Sequence, residues 1–149
     1  MTDPADWSQA ADSARRIGRA VEFHAEIPST NDRARAALRE AGGEGLAVVA
    51  DLQTAGRGRR GRTWISPAGA NLLFSVALRP SIAPRMAGLL GVAAALAVRD
   101  AAALIAPDAG LAVRWPNDLV DRHGRKVAGL LVETALAGGE LTEAVIGIG

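Results

Sequence analysis

Apolar residues in this chain come in short, β-branched runs separated by turn-forming residues, and only one segment sustains them for longer. RAVEFHAEI (residues 19–27) alternates apolar and polar side chains as a half-buried strand does. Pro28 closes it. Ser29, Thr30 and Asn31, all residue types that cap helices, then introduce DRARAALREA, a run of good helix formers that Gly42 and Gly43 stop. GLAVVADLQ (residues 45–53) and NLLFSVALRP (residues 71–80) have the composition and length of buried strands, the second ended by Pro80. Pro84 opens RMAGLLGVAAALAVRDAAALIA, for which a helix to about residue 106 is expected before Pro107 stops it. Being apolar nearly all round, that helix should be buried. LAVRW, KVAGLLVETAL and LTEAVIGIG add three strands, joined by a turn over residues 121–125 and by Gly138 and Gly139. A short polar helix is expected over residues 6–16. Strands outnumber helices and come partly as hairpins, so the expected class is α+β, with helices packed on a mixed or antiparallel sheet.

Composition narrows the chemistry. The 149 residues, 49% of them hydrophobic, suffice for one domain with one real core. The absence of cysteine rules out a disulfide framework or a thiolate metal site. The N-terminus carries acids and no apolar h-region, and Arg85, Arg99 and Asp100 break the most apolar stretch, so a soluble, cytoplasmic protein is expected, with no membrane partner. A net charge of +1 argues against a generally basic nucleic-acid binder. Among 17 basic residues there is a single lysine, Lys126, a compact ammonium in a chain that otherwise uses guanidinium.

Positive charge is concentrated in TAGRGRRGRTW (residues 54–64), where Arg57, Arg59, Arg60 and Arg62 are interleaved with Gly56, Gly58 and Gly61. The glycines satisfy G-x-G-x-x-G after a strand, but a dinucleotide-binding fingerprint must open a helix, and here Pro67, Gly69 and another strand follow. No Gly-Lys-Ser/Thr follows either, which excludes a Walker A loop. A nucleic-acid binder would add a broad basic surface and more than 3% aromatics. A small anionic ligand fits better: glycines let backbone N–H groups approach oxygens, and several guanidinium groups stabilise charge on a phosphate. Trp64 offers either a flat face for a base or an anchor pinning the end of the loop.

Three stretches must be taken together: STND (residues 29–32), QTAGRGRRGRTW (residues 53–64), and RWPNDL with RKVAGLLVE (residues 114–119 and 125–133). In this order and spacing they resemble the catalytic domain of biotin protein ligases, also called biotin-[acetyl-CoA-carboxylase] ligases, a fold similar to class II aminoacyl-tRNA synthetases. The resemblance runs from about Glu26 to the last residue. It implies a two-step reaction in which biotin and ATP, with Mg²⁺, give biotinyl-5′-AMP and pyrophosphate, after which a lysine of a biotin carboxyl carrier domain takes the biotinyl group.

By that resemblance, Ser29, Thr30, Asn31, Gln53, Gly56, Arg57, Gly58, Arg59, Lys126, Gly129 and Leu131 are biotin contacts, with Gly56 the hinge of the loop and Gln53 at the polar ureido end. Lys126, Arg57 and Arg59 are the catalytic set, and Arg60, Arg62, Trp64, Asn117 and Asp118 face the nucleotide, Asp118 holding a loop arginine or Mg²⁺. No protein-held metal site is expected. Arg114 stands where the family pattern usually has lysine, and the strand that usually reads GIGIN ends at GIG. The resemblance therefore implies a catalytic domain over residues 1–149 that is incomplete at its C-terminus. Neither an N-terminal helix-turn-helix domain, hence no DNA partner, nor the small C-terminal β-barrel is expected in it, and homodimerisation is left open. The competing readings are a lipoate or octanoate protein ligase-like transferase, which shares the fold and the lysine, and a fragment that binds without turnover.

Overall fold

The computed structural model describes Trp7, Ala11, Ala14 and residues 16–149. The helix expected over residues 6–16 lies almost wholly outside the described residues. The rest forms seven strands and two α-helices in the order β1 (Ala20–Ile27), α1 (Thr30–Ala37), β2 (Leu46–Gln53), β3 (Leu73–Leu78), α2 (Gly88–Ile105), β4 (Ala112–Arg114), β5 (Asp118–Val120), β6 (Lys126–Ala137) and β7 (Glu140–Ile148). One sheet takes all seven strands in the order β1-β2-β3-β7-β6-β5-β4. β1 and β2 run parallel, with α1 as their crossover, and every other pair is antiparallel, so the sheet is mixed, as expected from the sequence.

The pleat divides the core between two faces. Val145 and Ile146 are neighbours on β7, so their side chains leave opposite sides of the sheet. Val145 joins Ala34, within α1, and Leu38, just beyond its end, together with Val48 and Ala77. Ile146 joins Ala95 of α2 and Leu130, flanked by Leu90, Ala94, Val113 and Val132. Helix α1 therefore covers one face over β2, β3 and β7, and α2 covers the other over β6 and its neighbours.

Three expectations need correction. Helix α1 ends at Ala37, short of Gly42, because the chain doubles back over its end: Arg39 and Glu40 bond three residues back, and Gly43 lies where a Cβ would stand 1.8 Å from the Ala37 carbonyl oxygen. Helix α2 is not buried. Only Ala95 of its eighteen residues is, while Leu89, Leu96, Leu104 and Ile105 are exposed. One face packs on the sheet, and among the described residues nothing lies over the other. Residues 84–105 are also long and apolar enough to cross a membrane by length and composition, with a mean hydropathy of 1.8. Finally, Asp118–Val120 pairs with Ala112–Arg114 as an additional strand across a tight turn containing the cis Trp115–Pro116 bond. Its three residues are too few for a periodic signal.

Candidate active site

The arginine–glycine segment folds as a small hairpin. Arg57 pairs with Thr63, the Gly58 N–H donates to the Arg62 carbonyl at 2.7 Å, and the Trp64 N–H donates to the Gly56 carbonyl at 2.8 Å. At the tip the Arg62 N–H donates to the Arg59 carbonyl, and Arg60 (φ 57°) and Gly61 (φ 72°) are both left-handed. That is the mirror-image turn whose twist suits a two-stranded ribbon. Gly56, the expected hinge, also meets a demand of space: a Cβ there would lie 2.6 Å from the Trp64 carbonyl oxygen, where the two arms meet.

Beneath the hairpin lies a cavity of about 760 Å³ on the α1 face of the sheet. Its floor follows from the pleat. In VIGIG the isoleucines Ile146 and Ile148 turn toward the α2 core, so Gly147 and Gly149 face the cavity, beside Gly129, which exchanges two backbone hydrogen bonds with Gly149. Without side chains here the sheet itself is open to a ligand. Every residue that the resemblance assigns to the site lines this one cavity except Gly56. The alternation of glycine and isoleucine was the legible signal for Gly147 and Gly149, which the sequence reading missed. Thr63, Trp115, Pro116, Leu130 and Ile148 also line the cavity and were missed.

A polar network underlies one end of the cavity. The Ser29 Oγ caps α1 by accepting from the Asp32 N–H, at 3.4 Å. The Thr30 N–H and hydroxyl both donate to the Gln53 Oε1, and among the described residues the Gln53 amide nitrogen has no partner and can donate to a ligand. Ser75, fully buried, lies within 2.7 Å of the Thr30 hydroxyl and 2.6 Å of the Asn31 Oδ1. The Asn31 Nδ2 donates to Glu133 at 2.7 Å. Ser75 and Glu133, not foreseen from the sequence, thus hold the capping residues from below.

At the other end Lys126, the first residue of β6, places its ammonium 2.9 Å from an Asp118 oxygen and 4.8 Å from the centroid of the Trp64 ring. The Trp64 ring lies over Gly129 and Gly149, where Cβ atoms would come within 2.9 Å of it. It is a wall of the cavity. Asn117 bonds the Leu130 backbone through both its own carbonyl and its Nδ2, and its Oδ1 accepts from Arg59 at 2.8 Å.

The sequence model of the Biotin/lipoate A/B protein ligase family matches residues 24–149. The chain belongs to that family. The biotin--[acetyl-CoA-carboxylase] ligase of Paracoccus denitrificans is 46% identical over 103 residues, which are 68% of this chain and 42% of that protein. The biotin protein ligase of Leishmania major in complex with biotin superposes with a TM-score of 0.72 at 33% identity, covering 86% of this chain and 54% of that one. The same protein in complex with biotinyl-5-AMP gives a TM-score of 0.60 at 35% identity, covering 87% and 56%. The chain spans about half the length of these relatives.

In this family member Asp118 does not hold a loop arginine. Its oxygens bond Lys126 and Arg114, both at 2.9 Å, while the loop arginine Arg59 goes to Asn117. Burial alone would raise the Asp118 carboxyl, but the hydrogen bonds from Lys126 and Arg114 outweigh it and hold it below the usual aspartate range. A group whose native pKa is depressed contributes stability above its unfolded value, about 4 for aspartate, and loses it as the pH falls through the native value. Asp118→Asn is therefore expected to flatten the fall of melting temperature between about pH 5 and 2, a change that thermal unfolding across that window would read. Among the described residues no cluster of three histidine, aspartate or glutamate side chains could hold a metal ion.

Proposed function

We propose that this chain joins biotin to ATP as biotinyl-5′-AMP and passes the biotinyl group to a lysine of a biotin carboxyl carrier domain. The observation that carries the proposal is the convergence of Lys126 and the arginine hairpin on a single glycine-floored cavity whose far end is polar. In the first step a biotin carboxylate oxygen attacks the α-phosphorus and pyrophosphate leaves. Two anions must approach, and Lys126 and Arg59 supply the opposing charge at their meeting point. Lys126 keeps its ammonium aimed into the cavity because Asp118 holds it from one side and Trp64 from another. Arg60 and Arg62 lie at the hairpin tip, suited to the departing phosphates, and Trp64 offers its face to the adenylate. Gln53, with its amide nitrogen free, donates to the ureido carbonyl. In the second step the carrier lysine's amine attacks the carbonyl carbon, AMP leaves and the amine's proton is lost to solvent. A hairpin lying over the anhydride keeps water from it until then.

Mg²⁺ enters with the triphosphate as part of the substrate. Asp118 is engaged by two cations and does not suit it, so no protein ligand is assigned. With that activity we propose a cytoplasmic location, which a sequence without cysteine suits.

Biotin is the expected ligand rather than lipoate or octanoate. Calorimetric titration with each acid should show biotin binding at least about tenfold more tightly, a difference that unpaired polar groups at the Thr30–Gln53 end would produce with an apolar chain. Equal or tighter binding of lipoate would overturn the assignment to biotin.

A further inference from the structure

The hairpin is fastened at two places, and the fastenings differ in kind. At its root the Arg57 guanidinium makes two bonds of 2.6 Å to the two carboxylate oxygens of Asp32, in the first turn of α1, and lies 3.4 Å from Glu133 of β6. Glu133 is itself held by Arg35 at 3.0 Å and by the Asn31 amide at 2.7 Å. Two cations and two anions thus alternate from the hairpin to α1 and β6, two elements that the sheet already holds in place. At the tip, the Arg59 guanidinium has one bond among the described residues, to the neutral Asn117 oxygen. A bidentate ion pair inside a charge network resists exchange with a ligand, whereas a single bond to an amide gives way to an incoming phosphate.

We infer that Arg57 is a positioning residue: it latches the hairpin root to Asp32 and Glu133 and stays there through the reaction, while Arg59 leaves Asn117 to meet the ligand. The Arg57 guanidinium spends two of its donors on Asp32, and its remaining reach is toward Glu133. An anion arriving at Arg57 would have to displace two carboxylates that the surrounding structure keeps charged. Arg57, Asn31 and Arg35 hold the Asp32 and Glu133 carboxyls below their usual range: the Arg57 hydrogen bond dominates at Asp32, while at Glu133 burial opposes the shift and is outweighed. The division assigned to the two arginines rests on the biotin reading, but the latch itself does not.

The hairpin supplies its own test, because trypsin cuts after arginine and Arg59, Arg60 and Arg62 lie at its tip. In the ligand-free protein Asp32→Ala should speed cleavage at these bonds by about three- to tenfold, with little change in melting temperature. Exchanging the charges, Arg57→Asp with Asp32→Arg, rebuilds the pair with the arginine now on α1 and beside Glu133. The exchanged protein should recover slow cleavage and bind biotinyl-5′-AMP within about threefold of the parent. Recovered protection with adenylate binding still lost would show that Arg57 touches the ligand and would overturn the inference. Unchanged cleavage in Asp32→Ala, or no rescue by the exchange, would overturn it as well. A parent protein that bound neither biotin nor its adenylate, yet showed both proteolysis effects, would support the latch and remove the biotin reading.

Discussion

Lys126→Gln is expected to weaken binding of biotinyl-5′-AMP by about a hundredfold while changing biotin affinity far less. Glutamine keeps length and a donor but removes the charge. A hydrogen bond between charged partners contributes about 1.5–3 kcal/mol, and the loss of one preorganised donor to developing charge costs about 10²–10³ in rate. The adenylate places a phosphate at the ammonium that biotin alone lacks, so the two affinities should separate. Asp118 gives the internal control, since with Lys126 neutral it keeps Arg114 as its only close cation among the described residues. Titration calorimetry with biotin and with biotinyl-5′-AMP reads the difference directly. An equal loss for both ligands would mean that Lys126 merely shapes the cavity and would refute its role as a charge partner.

Gly147→Ala is the second large effect, and it arises from one added methyl group. The backbone at Gly147 is not left-handed, so alanine would be tolerated conformationally, but its Cβ would sit 2.1 Å from the Asn31 Oδ1. Asn31 cannot simply turn away: it is buried, in contact with the Ser75 hydroxyl and donating to Glu133. The collision therefore either shifts β7 or expels Asn31 and leaves its partners unpaired, at about 1–3 kcal/mol in either case. A fall in melting temperature of about 3–8 °C and a loss of biotin affinity of at least about tenfold are expected. The decisive measurement is the double variant with Asn31→Ala. Removing the obstructing amide should return part of the lost stability, a non-additivity that independent sites would not show. Simple addition of the two losses would place the damage elsewhere.

Much of the architecture was legible because its causes are local. Ser29 caps α1 because a hydroxyl three residues from an unpaired N–H reaches it regardless of the rest of the fold. Strands β1, β2, β3, β6 and β7 follow from β-branched runs bounded by proline and glycine. The hairpin was visible as charge on glycine, and Lys126 as a lone lysine among arginines.

The rest depended on register. Glu133 reads as an ordinary polar position in a strand, yet it meets Asn31 across 102 residues of sequence because β6 lies beside β7 and faces α1. Ser75 would pass for a weak point in an apolar strand, but its pairing with Gly147 sets it beneath the capping residues of α1. Hydrophobicity misled for α2, since it states what a surface would gain by burial and not whether anything covers it. The sequence by itself determined the elements, their caps and the chemistry the chain carries, because each depends on neighbours within a few residues. Only the tertiary structure decided which arginine is latched, which glycines form the floor and which carboxylates answer the cations, because those pairings arise from strand order and pleat across most of the chain.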